Sequence, residues 1–259
     1  MNRWRQLTFV VIMLLFSAAC STPPQSPEAA TQNPSTSDSL ATPTDDSTAT
    51  RRESLVYTGI IGLGISDENV IEAMRHVPRH LFVPREFQDQ AYANHPLPIG
   101  FGQTISQPYI VALMTEAAEV APGDKVLEVG TGSGYQAAVL AEIVDHVYSV
   151  EIIGALVERA GNDLQSAGYD NVTVNHADGY FGWQEFAPFD AIVVTAAPDH
   201  VPQPLIRQLK IGGHLIIPVG PVGGVQTLWR ITRISENEVE STNLGEVRFV
   251  PLTREERQQ

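Results

Sequence analysis

The sequence predicts an α/β fold in which helices cover a doubly wound, mostly parallel sheet. From about residue 125 onward, short apolar runs typical of buried strands alternate with segments whose apolar residues recur at helical spacing. Two later runs, residues 226–234 and 242–250, follow one another without a helix between them, which predicts an antiparallel strand pair at the C-terminal end.

A strand, a glycine-rich turn and a helix form the central motif. The run from Val126 to Gly134 also contains Gly130 and Gly132, and a helix begins at about Tyr135. Such a turn lets a ligand approach the backbone and offers free N–H groups as donors. Because the spacing is Gly-x-Gly-x-Gly and not the dinucleotide pattern Gly-x-Gly-x-x-Gly, a pyrophosphate is not the expected ligand.

Two acidic residues extend this site along the next two strands. Glu151 follows the strand 146–150 and is placed to accept both hydroxyls of a ribose. Asp178 and Gly179 follow the strand 172–176, where the carboxylate is placed to meet an adenine edge. Either acid alone would more often be a helix cap or a turn residue. Their order at three successive strand ends predicts a nucleoside site.

The first 20 residues predict a signal peptide. Arg3 and Arg5 precede an apolar run over residues 7–16, which is too short to span a bilayer, and small residues then lead to Cys20, the only cysteine. The arrangement resembles a bacterial lipoprotein signal, in which that cysteine becomes lipidated. This implies a protein exported and lipid-anchored to a bacterial membrane on its periplasmic side, or a cytoplasmic one if the signal is not used. The alternative is an ordinary signal peptide, with Cys20 removed or left as a free thiol.

Residues 21–52 predict a disordered tether, and residues 53–259 predict one folded domain. The tether is rich in Ser, Thr and Pro and has too few large apolar side chains to offset the entropy of ordering. Charges balance over the first 52 residues, so the net charge of −14 belongs to the domain. Such a surface argues against nucleic acid as a partner. We expect the domain to be a monomer.

A proline- and glycine-rich segment over residues 77–108 predicts a long ordered loop without regular elements, and such loops are usually functional. It ends in the run from Gln103 to Pro108, just before a helix that reaches about residue 120. Ser106 in this run is also well placed to be an ordinary N-cap. Its functional interpretation therefore depends on its surroundings.

The domain opens with a helix predicted over residues 67–77, with Ser66 as its N-cap. His76 and His80 are four residues apart, a spacing that could bind a metal on a helix. Pro78 between them breaks that geometry, so we expect no metal site.

Four segments together resemble the protein-L-isoaspartate (D-aspartate) O-methyltransferase family, over roughly residues 54–252. They are Val77-Pro-Arg-His-Leu-Phe-Val-Pro84, Pro98-Ile-Gly-Phe-Gly-Gln-Thr-Ile-Ser-Gln-Pro108, Val126-Leu-Glu-Val-Gly-Thr-Gly-Ser-Gly-Tyr-Gln136 and Phe189-Asp-Ala-Ile-Val-Val-Thr-Ala-Ala197. The second segment is the most diagnostic, because the glycine motif is shared by class I S-adenosylmethionine-dependent methyltransferases at large. The resemblance implies their Rossmann-like fold.

The resemblance also implies the reaction. S-adenosylmethionine would be the methyl donor, with no metal, and the acceptor would be the carboxylate of an L-isoaspartyl residue in a damaged protein. Methylation makes that carboxylate a better leaving group, so a succinimide forms and hydrolysis returns some normal aspartyl linkage. Ser106 would be catalytic, and Thr104, Ile105 and Ser106 would bind substrate. The implied cofactor-binding residues are Thr104, Ile105, Ser106, Glu128, Gly130, Thr131, Gly132, Ser133, Gly134, Glu151, Asp178 and Gly179.

The chemistry is consistent with these residue types. A carboxylate is already ionised at neutral pH and needs no general base, and the hydroxyls of Thr104 and Ser106 can orient it by donating hydrogen bonds. Two alternatives remain open. One is a methyltransferase of the same fold acting on another carboxylate or a hydroxyl. The other is a non-catalytic binding lipoprotein that retains the fold, which export favours because S-adenosylmethionine is made in the cytosol.

Overall fold

The structure, a computed structural model, describes residues 45–254. The predicted signal peptide, the lipidation site at Cys20 and the tether up to residue 44 lie outside the described residues. Within that range the α-helices are α1 (Asp45–Leu55), α2 (Glu68–His76), α3 (Pro108–Ala117), α4 (Tyr135–Ala141), α5 (Gly154–Ser166) and α6 (Gln203–Gln208). The strands are β1 (Leu97–Gly100), β2 (Gln103–Ile105), β3 (Lys125–Val129), β4 (His146–Glu151), β5 (Val172–His176), β6 (Phe189–Val194), β7 (Leu209–Val219), β8 (Gln226–Arg233) and β9 (Val239–Val247).

Seven of these strands form one sheet in the order β5, β4, β3, β6, β7, β8, β9. The first five are parallel, and β8 pairs antiparallel with both β7 and β9. The predicted doubly wound sheet and its antiparallel C-terminal pair are therefore confirmed. The strand order reverses direction between β3 and β6, and ligands bind outside the carboxyl ends of the strands at such a switch point.

The central strands are apolar because both faces of the sheet are covered. Alternate side chains of β3 enter different clusters: Val126 packs in the larger cluster, and Leu127 and Val129 pack in the smaller one. Since side chains alternate along a strand, Glu128 points to the same face as Val126. That side chain is fully buried. The carboxyl group of Glu128 is thus held within the core, at the residue before the last one of β3.

The folded part begins earlier than the sequence suggests. Helix α1 covers the last eight positions assigned to the tether, residues 45–52, and continues through a π-helical turn at Val56–Ile60. Thr48 is buried, and Leu55 and Val56 belong to the core. The tether prediction therefore needs correction at its C-terminal end, because a polar composition can still form a helix when one face packs against the domain. None of the helices in residues 45–254 is long and apolar enough to cross a membrane.

The segment over residues 77–108 is more regular than expected. Strands β1 and β2 pair as an antiparallel hairpin, and 3-10 turns occur at Arg79–Phe82 and Arg85–Gln90. The hairpin turn contains Phe101, which has φ 54° and is 61% exposed. This hairpin was not predicted, because proline and glycine interrupt the strand pattern in the sequence. Its second strand leads directly to Ser106.

Helix α2 begins one residue later than predicted, and its cap is Asp67, not Ser66. One carboxylate oxygen of Asp67 accepts from the N–H groups of Asn69 (2.8 Å) and Val70 (3.1 Å). The N–H groups of Ser66 and Asp67 donate to Glu116 on α3. Ser66 thus contacts α3, through its N–H (2.7 Å) and more weakly through its hydroxyl (3.4 Å), while Asp67 caps the first turn of α2.

We expect Asp67→Ala to lower the free energy of unfolding by about 1 kcal/mol, because the first turn of α2 loses its acceptor. Ser66→Ala is the matched control and should cost less than about 0.5 kcal/mol, since the N–H group of residue 66 is retained. Urea unfolding of both variants measures the difference. An equal or larger loss for Ser66→Ala would contradict the assignment of the cap.

Candidate active site

A cavity of about 730 Å³, counted to its open mouth, lies at the carboxyl ends of β3, β4 and β6. Ten of the twelve predicted cofactor-binding residues line it. They are Thr104, Ile105, Ser106, Glu128, Gly130, Thr131, Gly132, Ser133, Glu151 and Gly179. Gly134 and Asp178 are not among the lining residues.

The glycine turn is shaped by a close approach between β3 and β6. Gly130 has φ 100°, and a Cβ atom there would lie 2.5 Å from the Oγ1 atom of Thr195. The hydroxyl of Thr195 donates to the carbonyl oxygens of Val129 (3.0 Å) and Gly130 (2.5 Å). Only glycine fits this position. Gly134 has φ 88°, precedes α4 and packs against Leu164.

Glu151 is fixed at the end of β4 by backbone donors. Its Oε2 atom accepts from the N–H of Gly132 (2.9 Å), and its Oε1 atom accepts from the N–H of Ile153 (2.9 Å). The side chain is nearly buried and lines the cavity. Since an ionised carboxylate has about four lone-pair sites, two remain for a ligand. The predicted ribose acceptor is thus oriented toward the cavity.

Two buried oxygens at the cavity lack a donor within residues 45–254. They are Oε1 of Glu128 and Oε1 of Gln136. The other oxygen of Glu128 accepts from the hydroxyl of Ser149 at 2.5 Å, and the amide of Gln136 donates to Thr115. Burial raises the pKa of Glu128 to about 8, and the hydrogen bond from Ser149 opposes that rise. A ligand with N–H groups would satisfy these oxygens.

Asp178 follows β5 as predicted, but its side chain is not among those that line the cavity. Its Oδ1 atom accepts from the N–H of Tyr180 (3.0 Å), and its Oδ2 atom accepts from Nε of Arg254 (2.9 Å). The side chain caps the 3-10 turn Gly179–Phe181, so the turn interpretation describes the contacts that the structure shows. Gly179 does line the cavity, and a Cβ atom there would lie 2.5 Å from a methyl group of Val129.

The segment over residues 104–106 lies between two cavities. A second, more open cavity also contacts Thr104 and Ser106, and it extends along the C-terminal part of β9. Gln107, not Ser106, is the N-cap of α3, so the capping interpretation of Ser106 is wrong. Within the described part of the chain, the hydroxyl of Ser106 makes no hydrogen bond. It is therefore free to bind a ligand.

Two parts of the cavity lining, Thr195 and the segment Val250–Thr253, were not predicted from the sequence. Thr195 lines both cavities directly after β6, and the rule that ligands bind at carboxyl ends of strands could have identified it. The segment Val250–Thr253 also lines the first cavity. Its place in the cavity could not be predicted, because no motif in these residues indicates that the chain returns across the sheet. No group of three or more His, Cys, Asp or Glu side chains in residues 45–254 is placed to hold a metal ion.

The fold and the site together define a class I S-adenosylmethionine-dependent methyltransferase. Residues 51–257 match the sequence model of the family described as protein-L-isoaspartate(D-aspartate) O-methyltransferase. The chain belongs to this family.

Relatives and solved structures agree with this membership. A protein-L-isoaspartate O-methyltransferase of Picosynechococcus sp. is 54% identical over 207 residues, which cover 80% of this chain and 92% of that protein. One from Polaromonas sp. is 55% identical over 209 residues, or 81% and 98% of the two chains. A solved structure of the same description has a TM-score of 0.71 at 30% identity and covers 77% of this chain; the match spans 65% of that chain.

A second solved structure carries a product of the reaction. This Plasmodium falciparum protein, described as a protein-L-isoaspartate O-methyltransferase in complex with S-adenosyl-L-homocysteine, has a TM-score of 0.67 at 27% identity and covers 80% of this chain and 98% of its own. The predicted family, fold class and cofactor are confirmed. The enzyme uses S-adenosylmethionine to methylate the carboxylate of isoaspartyl residues in damaged proteins.

The raised pKa of Glu128 predicts a specific pH dependence. The folded state holds a proton that the unfolded state releases between about pH 4.5 and pH 8, so this group lowers the free energy of unfolding as pH rises through that range. In the absence of cofactor, Glu128→Gln should remove this decline, which is on the order of a few kcal/mol.

Urea unfolding between pH 5 and pH 9 measures this effect. The stability of Glu128→Gln relative to the wild type should increase with pH. The control is Glu158→Gln, which changes an exposed glutamate. Parallel pH profiles for Glu128→Gln and the wild type would contradict the buried, protonated state.

Proposed function

We propose that the first cavity binds S-adenosylmethionine, that the second binds the isoaspartyl segment, and that methyl transfer occurs where the two meet. One observation carries this assignment. The residues shared by both cavities are Thr104, Ser106, Thr195 and Val250. A donor in one cavity and an acceptor in the other would face each other only at this junction.

The first cavity offers groups that match each part of the cofactor. Glu151 has two lone pairs for the ribose hydroxyls, and the turn from Gly130 to Ser133 offers backbone N–H groups. Glu128 and Gln136 would accept from the ammonium of the methionyl part, at the buried oxygens that lack donors. The adenine would then lie toward Gly179. When bound, S-adenosylmethionine supplies a methyl group that is already activated by its sulfonium.

At the junction of the two cavities, the protein would orient the acceptor. An isoaspartyl carboxylate is ionised at neutral pH, so no residue needs to remove a proton from it. The hydroxyl of Ser106 would donate to one carboxylate oxygen and leave the other directed at the first cavity, with Thr104 as a second donor. Correct placement of two reacting groups supplies a large part of the rate enhancement in such transfers.

We expect Ser106→Ala to lower kcat for an isoaspartyl peptide by about ten- to a hundredfold, because the acceptor loses a donor that orients it. Ser66→Ala is the matched control, since it also changes a serine just before a helix but lies away from both cavities. Transfer of a labelled methyl group from S-adenosylmethionine to an isoaspartyl peptide and to its normal aspartyl twin measures the effect.

Three results of that assay have distinct meanings. Transfer to the isoaspartyl peptide alone, reduced in Ser106→Ala, supports the proposal. Unchanged kcat in Ser106→Ala would refute the role of this hydroxyl. Equal transfer to both peptides would refute selective recognition at the second cavity.

We also propose that the enzyme is an exported lipoprotein, anchored through Cys20 on the periplasmic side of a bacterial membrane, and that it acts as a monomer. The support is the order of charged, apolar and small residues before a single cysteine. Residues 21–44 would then connect the lipid to α1.

We expect Cys20→Ala to abolish incorporation of labelled fatty acid and to release the protein from the membrane fraction, because the residue that carries the lipid is lost. Fractionation of cells that express each form measures the release. Methyl transfer by the released variant should match that of the wild type in detergent. A wild type found in the soluble cytoplasmic fraction, with no label, would contradict the proposal.

A further inference from the structure

The segment Val250–Thr253 is a wall of the first cavity and is attached to the sheet at one point by its backbone. The N–H of Ala197 donates to the carbonyl of Val250 (2.8 Å), and the N–H of Leu252 donates to the carbonyl of Ala197 (2.9 Å). Ala197 follows β6, and Pro251 forms an isolated parallel bridge with it. This attachment holds one end of the wall next to the switch point.

Arg254 attaches the other end of the wall. Its Nε atom donates to Oδ2 of Asp178 at 2.9 Å. The central carbon of its guanidinium lies 3.7 Å from the centroid of the Tyr180 ring and 5.0 Å from that of Phe181. Asp178 follows β5, and β4 and β3 lie between β5 and β6 in the sheet. The wall is thus fixed at the ends of two strands that flank those carrying Glu151 and the glycine turn.

Asp178, the residue that binds Arg254, is itself held in place. The Asp178 side chain is only 9% exposed, and its second oxygen accepts from the N–H of Tyr180. The hydroxyl of Tyr180 shares a hydrogen bond with Nε2 of His200 (3.1 Å). His200 lies three residues after Ala197, so this hydrogen bond and the main chain over residues 197–200 connect the two attachment points of the wall.

We propose that Arg254 is a positioning residue for the cofactor: by its ion pair with Asp178 and its stacking on Tyr180, it holds Val250–Thr253 against bound S-adenosylmethionine and slows the release of the cofactor. An exposed ion pair alone contributes little. Here the carboxylate is nearly buried and the guanidinium also stacks on an aromatic ring, and both features strengthen the contact. The inference rests on the proposed assignment of the first cavity to S-adenosylmethionine.

The test compares Arg254→Ala and Arg254→Lys with the wild-type full-length chain. Calorimetry gives the Kd for S-adenosyl-L-homocysteine, and stopped-flow displacement gives its dissociation rate. Arg254→Ala should raise both by about five- to tenfold. The Kd and the dissociation rate of Arg254→Lys should lie between those of the wild type and those of Arg254→Ala, because lysine keeps the charge but lacks the planar group that stacks. The KM for S-adenosylmethionine should rise by a similar factor, with kcat within twofold.

Arg75→Ala is the matched control. Arg75 pairs with Glu53 and Glu72 on the surface, its side chain is 32% exposed against 38% for Arg254, and it lines neither cavity. Its Kd and dissociation rate should equal those of the wild type. If Arg75→Ala weakened binding as much as Arg254→Ala, the effect would come from general loss of stability, and the proposal would be overturned.

A double-mutant cycle separates positioning from a general effect of charge. If Arg254 acts partly through Asp178 and partly by stacking, Arg254→Ala should raise the Kd by a smaller factor in the Asp178→Asn background than in the wild type. If the factor by which the double variant raises the Kd equalled the product of the factors for the two single variants, the proposal would be overturned. Amide hydrogen exchange gives an independent measure: the N–H of Leu252 should exchange faster in Arg254→Ala, whereas the N–H of Val129 in the central sheet should not change.

The readouts also separate this inference from the proposed function. Binding of S-adenosyl-L-homocysteine without transfer to an isoaspartyl peptide would refute the proposed acceptor, and the effect of Arg254→Ala on Kd would still decide the role of Arg254. Failure of the wild type to bind S-adenosyl-L-homocysteine would overturn both. An unchanged dissociation rate in Arg254→Ala, with isoaspartyl transfer intact, would overturn the inference alone.

Discussion

The parallel pairing of β3 with β6 is the constraint on which the site depends. These strands are neighbours in the sheet although some 60 residues separate them in sequence. The strands that follow them in sequence, β4 and β7, lie on opposite sides of the pair. The pairing brings Thr195 against the backbone of Gly130 so closely that no side chain fits at residue 130. The shape of the glycine turn, and the direction of the N–H groups that it offers, follow from this contact.

The acidic groups around this turn differ because their surroundings differ. Glu151 accepts from two backbone N–H groups, which fix the direction of its carboxyl group. Glu128 lies in the core, with one hydroxyl donor to one oxygen, and burial favours its neutral form. Asp178 is paired with an arginine. Three carboxyl groups therefore provide an oriented hydrogen-bond acceptor, a buried group that is mostly neutral without a ligand, and an anchor for Arg254.

The sequence predicts the parts of the fold that depend on local patterns. The strand before Gly130, the turn itself and the placement of Glu151 follow from apolar runs and short spacings, and the structure shows each of them. The position of Asp178 relative to the cavity was not predictable, because its partner Arg254 lies 76 residues away. The same holds for Val250–Thr253, whose role depends on a return path across the sheet. The cap of α2 was misassigned by one residue, since Ser66 and Asp67 are both good caps and the contact of Glu116 selects between them.

The wall formed by Val250–Thr253 has a consequence for how the enzyme acquires its cofactor. The lining of the first cavity begins at Gln103 and is completed only at Thr253, so no partly synthesised or partly translocated chain has a closed cofactor site. A route that threads an unfolded polypeptide through a membrane therefore delivers this enzyme empty. In an exported form, the first turnover would therefore depend on S-adenosylmethionine found at the destination.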